Sequence, residues 1–241
     1  MRLLAGAMVL CCVVQPLAAQ QRKPEAKPRQ RVAGKPVIRL WEAGALAGLT
    51  AGAMVVDRSV RHAIVRDTSV LPSVLVRAGD AFGNIVYVYP ALAAGTLAGL
   101  ALGNDGLKGA SWRALQSTAL AGGAALVLKS AIGRRRPDVS PNSAFVFRPL
   151  SFKNNSFPSG HTTIAFALAT SLATETKGKW SDLLFFSAAS LTGFSRINDD
   201  RHWLSDVVFG AAVGIVSARV VHRWHRGFVV TPQGVGLSLT F

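Results

Sequence analysis

Six stretches of the chain are apolar and free of charged side chains: Ala43–Val56, Ala81–Asn104, Ala114–Leu128, Asn154–Thr174, Leu183–Ser195 and Val207–Ala218. None alternates with period two, so the pattern predicts helices and not strands. A helix needs about 20 apolar residues to cross a bilayer. Ala81–Asn104 meets that length outright. Asn154–Thr174 meets it too, although it opens on polar residues. The other four have the length of buried core helices, and reach spanning length if a charged residue or two at each end faces inward. All six are rich in Ala and Gly, a composition that lets helices approach closely in lipid. The intervening Asp57–Asp80 is mixed, with short amphipathic helices predicted at Val60–Val65 and Val70–Val76 around Pro72. The tail Phe228–Phe241 reads as a β-hairpin turning at Pro232–Gly234. The predicted fold class is therefore all-α, a membrane-embedded six-helix bundle with a short C-terminal hairpin. Its divisions are 1–19, a signal peptide or signal anchor; 20–40, a flexible basic linker; 41–227, the helical domain; and 228–241, the hairpin tail.

Composition sharpens this picture. Half of the 241 residues are hydrophobic, 23 more are Gly, and only 16% are charged, against a usual quarter in soluble domains. A disordered chain is excluded, and an ordinary soluble domain is disfavoured. The net charge of +15 invites a nucleic-acid reading. Much of that charge, however, lies in the linker: Arg22, Lys23, Lys27, Arg29, Arg31, Lys35 and Arg39 stand against Glu25. The remainder sits mostly at the ends of apolar segments, where cations snorkel or face anionic lipid. No aromatic residues interleave with the basic ones, so no nucleic-acid partner is expected.

Both cysteines, Cys11 and Cys12, fall inside the first apolar run. One Arg, an apolar stretch from Leu3 to Val14, and small Ala18 and Ala19 have the layout of a secretory signal. Cleavage near Ala19 would leave no cysteine, hence no disulfide framework and no thiolate metal site. An uncleaved signal anchor is the alternative. A lipoprotein site at Cys11 or Cys12 fits its preceding residues poorly.

Three polar clusters interrupt the apolar pattern. In Lys129-Ser-Ala-Ile-Gly-Arg134-Arg135-Arg136-Pro137, Pro137 is expected to end the helix. Lys129 and Arg136, two turns apart, share a face if the helix persists. Two cations on one face call for an anion between them, although Arg134 and Arg135 alone would also make an ordinary basic helix end. In Phe157-Pro158-Ser159-Gly160-His161, Ser159 and Gly160 sit where free backbone N–H groups gather at a helix N-terminus, a ready anion site. Taken alone this is equally a simple cap. In Ser195-Arg196 through His202 to Asp206, His202 and Asp206 are four apart, adjacent if helical. A carboxylate beside an imidazole fixes its tautomer and raises its basicity, as in a nucleophile dyad; an ordinary helix-surface pair has the same spacing. Together, Lys129, Arg136, Arg196 and a helix N-terminus suit a tetrahedral dianion. The His with an Asp partner suits a nucleophile, and the other His a general acid. The clusters fall at the same end of the expected bundle.

These residues resemble the type 2 phosphatidic acid phosphatase superfamily, which also includes vanadium haloperoxidases and bacterial class A acid phosphatases. The family pattern is Lys-x6-Arg-Pro, Pro-Ser-Gly-His and Ser-Arg-x5-His-x3-Asp. All eleven specified positions match in order: Lys129, Arg136-Pro137, Pro158-Ser159-Gly160-His161, Ser195-Arg196, His202 and Asp206. The resemblance covers about residues 110–220. It implies a phosphatase in which His202 attacks phosphorus, Asp206 holds its tautomer and His161 protonates the leaving alkoxide. Lys129, Arg136, Ser159, Gly160 and Arg196 would bind the phosphate oxygens. It implies no metal or other cofactor. The expected partners are a lipid phosphate substrate and a membrane, with oligomeric state open. Arg134, Arg135 and Arg201 lie outside the pattern and are read as solvated or headgroup-facing charge. A soluble class A-like acid phosphatase and a vanadate-dependent haloperoxidase are the alternatives, the latter lacking identifiable extra pocket residues.

Six crossings would put the N-terminus opposite the active end. The N-tail, Lys108–Arg113, Lys177–Lys179 and the C-terminal Arg219, Arg223 and Arg226 then share one side, which their charge makes cytoplasmic. The expected location is the bacterial inner membrane with a periplasmic active end. A cleaved signal conflicts with six crossings. Either the first apolar run stays attached, or Ala43–Val56 lies against the bundle without crossing, or the protein is soluble and periplasmic.

Overall fold

The order of elements follows from where the chain places its caps and breakers. A computed structural model describes residues 37–66, 71–151, 155–224, 229–231 and 234–236. The expected signal segment and all but the last residues of the linker lie outside them. Helix α1 (Leu40–Arg66) carries Glu42 in its first turn, and its 27 residues extend about 40 Å at 1.5 Å per residue. Helix α2 (Ser73–Gly83) follows Pro72. Helix α3 (Ile85–Ala101) starts at Asn84, whose side chain accepts from the Val86 N–H at 3.0 Å. Asn104 does the same for α4 (Asp105–Ile132), accepting from the Leu107 N–H at 2.9 Å. Helices α5 (Gly160–Thr176), α6 (Lys179–Asn198) and α7 (Leu204–Trp224) follow. Strands β1 (Val229–Thr231) and β2 (Gly234–Gly236) pair antiparallel; the rest of the expected 228–241 hairpin lies outside the described residues.

Seven helices are present among the described residues, not six. The apolar stretch Ala81–Asn104 conceals a break. Asn84 takes an extended conformation, and α2 and α3 meet there at 60°. An uncharged Asn leaves no gap in a charge-free run, yet its side chain caps the next helix. The two short helices expected within Asp57–Asp80 also differ: Val60–Val65 continues α1, and a separate helix begins only at Ser73. Helices α4 and α7 are each long and apolar enough to cross a membrane, and the bent pair α2 and α3 qualifies together.

Helix α5 is the centre, packing against α7, α6, α4 and α2. It is buried on more than one face by small residues: Ala165, Ala167 and Ala169 have no exposed surface. Helix α7 meets it with Gly214, where a Cβ would run into the Thr163 carbonyl and come 2.8 Å from the Ala167 nitrogen. Small residues here replace bulky apolar interdigitation and bring the backbones together. Apolar side chains such as Leu97, Leu126 and Leu184 face outward.

The bundle has two distinct ends. At one, Glu42 of α1 lies 3.7 Å from Arg219 of α7, and Arg113 of α4 holds Glu175 of α5 through two 2.6 Å bonds. At the other gather the C-terminal ends of α4 and α6 and the N-terminal ends of α5 and α7, carrying the three polar clusters. All described residues belong to one compact unit.

Candidate active site

The first cluster is built by a helix stop. Gly133 ends α4 in the left-handed conformation at φ 61°, where a side chain is strained. A Cβ there would also collide with the Arg148 carbonyl. The helix therefore ends at Ile132, ahead of Pro137, and Lys129 and Arg136 do not share a helix face as the spacing suggested. Lys129 projects from the last turn of α4 and donates to the Asn155 carbonyl at 2.6 Å. Arg136 comes from the following loop. That loop folds back along α4 through Arg148 N–H to Gly133 O at 2.8 Å and Ser156 N–H to Arg134 O at 2.9 Å.

The second cluster lies at the start of α5. Ser159 is the N-cap and Gly160 the first helical residue. The Ser159 N–H is not free, because it donates to the Asp206 carbonyl at 2.9 Å. Its hydroxyl accepts from Thr162 Oγ1 at 2.9 Å. The first-turn N–H groups that follow, those of Gly160 and His161 included, have no acceptor within the helix. Gly160 faces Lys129: a Cβ there would sit 3.5 Å from Lys129 Cε.

The third cluster joins the end of α6 to the start of α7. His202 precedes α7 instead of lying on it. Its Nδ1 is nonetheless 3.6 Å from Asp206 Oδ2, longer than a hydrogen bond, and it has no partner at bonding distance. Catalytic contacts of this kind tighten when substrate binds. Burial pushes the His202 imidazole down to about 4, against the opposing pull of Asp206. At neutral pH it is uncharged, with a nitrogen lone pair available. Lys129 and Arg136 act on it electrostatically, and the same two cations with Arg196 act on His161. The eight residues singled out from the sequence thus converge on one end of the bundle.

Asp206 is held far more firmly than its sequence spacing implies. It has no exposed surface. Its Oδ2 accepts from Ser156 Oγ at 2.5 Å and from the Trp203 N–H at 2.9 Å. Its Oδ1 accepts from Arg134 Nη1 at 2.6 Å. Arg134 overturns the expectation of solvated charge: it is fully buried. Its guanidinium also donates to Ser205 Oγ, to Asp57 Oδ2 and twice to the Ala144 carbonyl, all between 2.6 and 2.9 Å. The rings of Phe147 and Trp203 flank it at 5.5 and 5.6 Å. Asp57 of α1 accepts in addition from the Ser205 N–H at 2.9 Å. A cation facing two carboxylates accounts for this burial, since an unpaired charge could not be buried so. Arg201 does behave as an exposed charge, 3.3 Å from Asp138.

Asp80 of α2 completes the site. Its Oδ1 lies 2.6 Å from Arg196 Nη2 and 3.6 Å from His161 Nε2. Neither Asp57 nor Asp80 belongs to the sequence pattern. The only signal for them was an acidic residue bordering each of two charge-free stretches, Asp57 just after Ala43–Val56 and Asp80 just before Ala81–Asn104.

Among the described residues, no three His, Cys, Asp or Glu side chains cluster to hold a metal ion. The arrangement provides a neutral imidazole backed by a carboxylate, a second imidazole, three cations and a helix N-terminus. That set can bind a tetrahedral anion and attack its centre.

The sequence profile of the PAP2 superfamily matches residues 110–229. The chain is 40% identical to a lipid A 1-phosphatase of Porphyromonas gingivalis, the match covering 51% of this chain and 25% of that protein. It is 34% identical to a probable diacylglycerol pyrophosphate phosphatase of Schizosaccharomyces pombe, covering 45% of this chain and 50% of that one. The chain thus spans half or less of the length of these curated relatives. In fold it is similar to Aquifex aeolicus LpxE, with a TM-score of 0.54 at 22% identity over 70% of this chain and 95% of that one. It is also similar to a transmembrane PAP2-type phosphatidylglycerolphosphate phosphatase from Bacillus subtilis, with a TM-score of 0.57 at 19% identity over 78% and 97%. The profile match, the motif residues gathered at one end of the bundle and the shared fold agree: the chain belongs to the PAP2 superfamily.

Proposed function

We propose that this protein is a membrane-embedded phosphatase that removes a phosphoryl group from a lipid phosphomonoester or diphosphate through a phosphohistidine on His202. The observation that carries this reading is the neutral, buried imidazole of His202, with Asp206 behind it and Lys129 and Arg136 acting on it. His202 attacks phosphorus, forming a P–N bond as the P–O bond to the leaving group breaks. Asp206 sits at Nδ1, so it selects the tautomer with the proton there and stabilises the positive charge that develops. His161 gives a proton to the leaving oxygen. It then takes one from the water that hydrolyses the phosphohistidine, returning both histidines to their starting forms. Lys129, Arg136, Arg196 and the N–H groups at the start of α5 neutralise the phosphoryl oxygens in the transition state. This cation set carries the electrostatic stabilisation, so the reaction is expected to run without a metal.

The printed functions of the two curated relatives, lipid A 1-phosphatase and diacylglycerol pyrophosphate phosphatase, support a lipid substrate. So do the apolar spans α4 and α7 and the outward apolar side chains. The end opposite the site carries Lys108, Arg113, Lys177, Lys179, Arg219 and Arg223. By charge that end faces the cytoplasm, so the site opens to the periplasmic side of the inner membrane.

The test is phosphate release by the membrane fraction from lipid A, phosphatidic acid, diacylglycerol pyrophosphate and a soluble phosphomonoester, with and without EDTA. Release from at least one lipid, undiminished by EDTA, is expected. Release from the soluble ester alone, or activity lost in EDTA and restored by Mg²⁺, overturns the reading.

A further inference from the structure

The site holds a carboxylate that none of the three clusters includes. Asp80 lies on α2, outside the residues matched by the family profile. Its Oδ1 is buried between two site residues from different helices, 2.6 Å from Arg196 Nη2 on α6 and 3.6 Å from His161 Nε2 on α5. Despite the short contact with Arg196, this oxygen has no well-aligned hydrogen bond. Arg196 Nη2 is shared, since it also donates to Asp199 Oδ2 at 2.7 Å. Helix α2 is fixed in place: the Gly79 carbonyl accepts from Thr192 Oγ1, and a Cβ on Gly83 would meet the His161 carbonyl and the Thr192 methyl. The carboxylate is therefore held at the histidine by backbone packing on both sides of it in sequence.

We propose that Asp80 is a positioning residue of this site: it tethers Arg196 and favours the protonated form of His161 that a departing alkoxide requires. The proposal rests on the reading of His161 as the general acid.

The electrostatic need is plain from the groups around His161. Burial first, and then Arg196 from α6, Lys129 from α4 and Arg136 from the loop, disfavour a proton on its ring, and Asp80 from α2 favours one. The remaining carboxylate of the site, Asp206 on α7, is already engaged by Arg134, Ser156 and the Trp203 N–H. A site assembled to bind a dianion tends to strip the proton from its own acid, and Asp80 is the group that opposes this. One carboxylate within about 4 Å of the imidazole offsets that tendency.

The test uses the full chain in lipid nanodiscs with ¹⁵N-labelled histidine, the His161 signal being assigned with His161→Gln. Asp80→Asn keeps an acceptor for Arg196 but removes the charge. The His161 titration midpoint should fall by about one pH unit, the lower end for loss of a nearby opposite charge. The alkaline limb of kcat/KM should fall with it, and the loss at neutral pH should be about tenfold with an alkyl phosphate and smaller with p-nitrophenyl phosphate. Asp80→Glu should restore most of the midpoint. Should Asp80→Asn not fold, Asp80→Ser reads the same midpoint. An unmoved midpoint overturns the proposal even if activity drops, because Asp80 then only holds Arg196. A wild-type protein with no phosphatase activity would sink the proposed function instead, and the titration would still decide whether Asp80 and His161 are coupled.

Discussion

Arg134 Nη1 lies 2.6 Å from Asp206 Oδ1, and neither side chain exposes any surface. The residue behind the proposed nucleophile is thus itself held by a buried cation, which Asp57 of α1 holds in turn at 2.7 Å. Helix α1 therefore reaches the chemistry although no motif residue lies on it.

Removing Arg134 leaves Asp57 and Asp206 buried against each other without a cation. Arg134→Ala should destabilise the fold by about 3–5 kcal/mol, as is usual when one partner of a buried pair is lost. Arg134→Lys keeps a charge but not the planar fork, and should fall between the wild type and Arg134→Ala. Thermal unfolding in detergent micelles checks the order. An Arg134→Ala protein as stable as the wild type would show that the network contributes nothing.

Gly133 makes a second structural prediction. Its left-handed φ alone puts Gly133→Ala at a cost of about 1–2 kcal/mol. The clash with the Arg148 carbonyl adds displacement of the loop bearing Arg136. Both a lowered unfolding temperature and a raised KM for the phosphate ester are expected. A lowered temperature with unchanged KM would separate the helix stop from placement of Arg136.

The pH dependence follows from His202. Its imidazole is neutral until the pH falls to about 4, and only the neutral form has the lone pair that attacks. Corrected for ionisation of the substrate, kcat/KM should rise from neutrality down to about pH 5 as His161 takes up the proton it donates. It should then fall as the pH drops through about 4. An acid limb near the ordinary histidine value of about 6.5 would mean that His202 is not buried as described.

The eight residues proposed for the site were legible because they fall in three polar clusters whose order and spacing resemble a family pattern. What the spacing could not convey was which element supplies each residue. Lys129 and Arg136 read as one helix face until Gly133 is seen to end the helix. His202 and Asp206 read as a helical pair until α7 is seen to begin at Leu204. Arg134 was hidden in a run of three arginines that resembles an ordinary basic helix end. Its partner Asp57 lies 77 positions away, beyond any local pattern. The bundle itself was legible from the charge-free stretches, but the bend at Asn84 was not, since nothing charged marks it.

The proposed mechanism gives the two histidines separable roles. If His161 donates to the leaving oxygen, His161→Ala should lose about 10²–10⁴-fold with a lipid phosphate, the usual worth of general acid catalysis. It should lose noticeably less with p-nitrophenyl phosphate, whose leaving group departs without a proton. Equal losses on both substrates would remove His161 from that role.

The central claim is a covalent phosphoryl group on His202. Rapid acid-free quenching of the membrane-embedded enzyme with ³²P-labelled lipid phosphate, followed by peptide mapping, reads it directly. The label should be stable to alkali, labile to acid and carried by the peptide containing His202, and His202→Ala should abolish both label and turnover. Label on the peptide containing His161, or steady turnover in His202→Ala, would contradict the account.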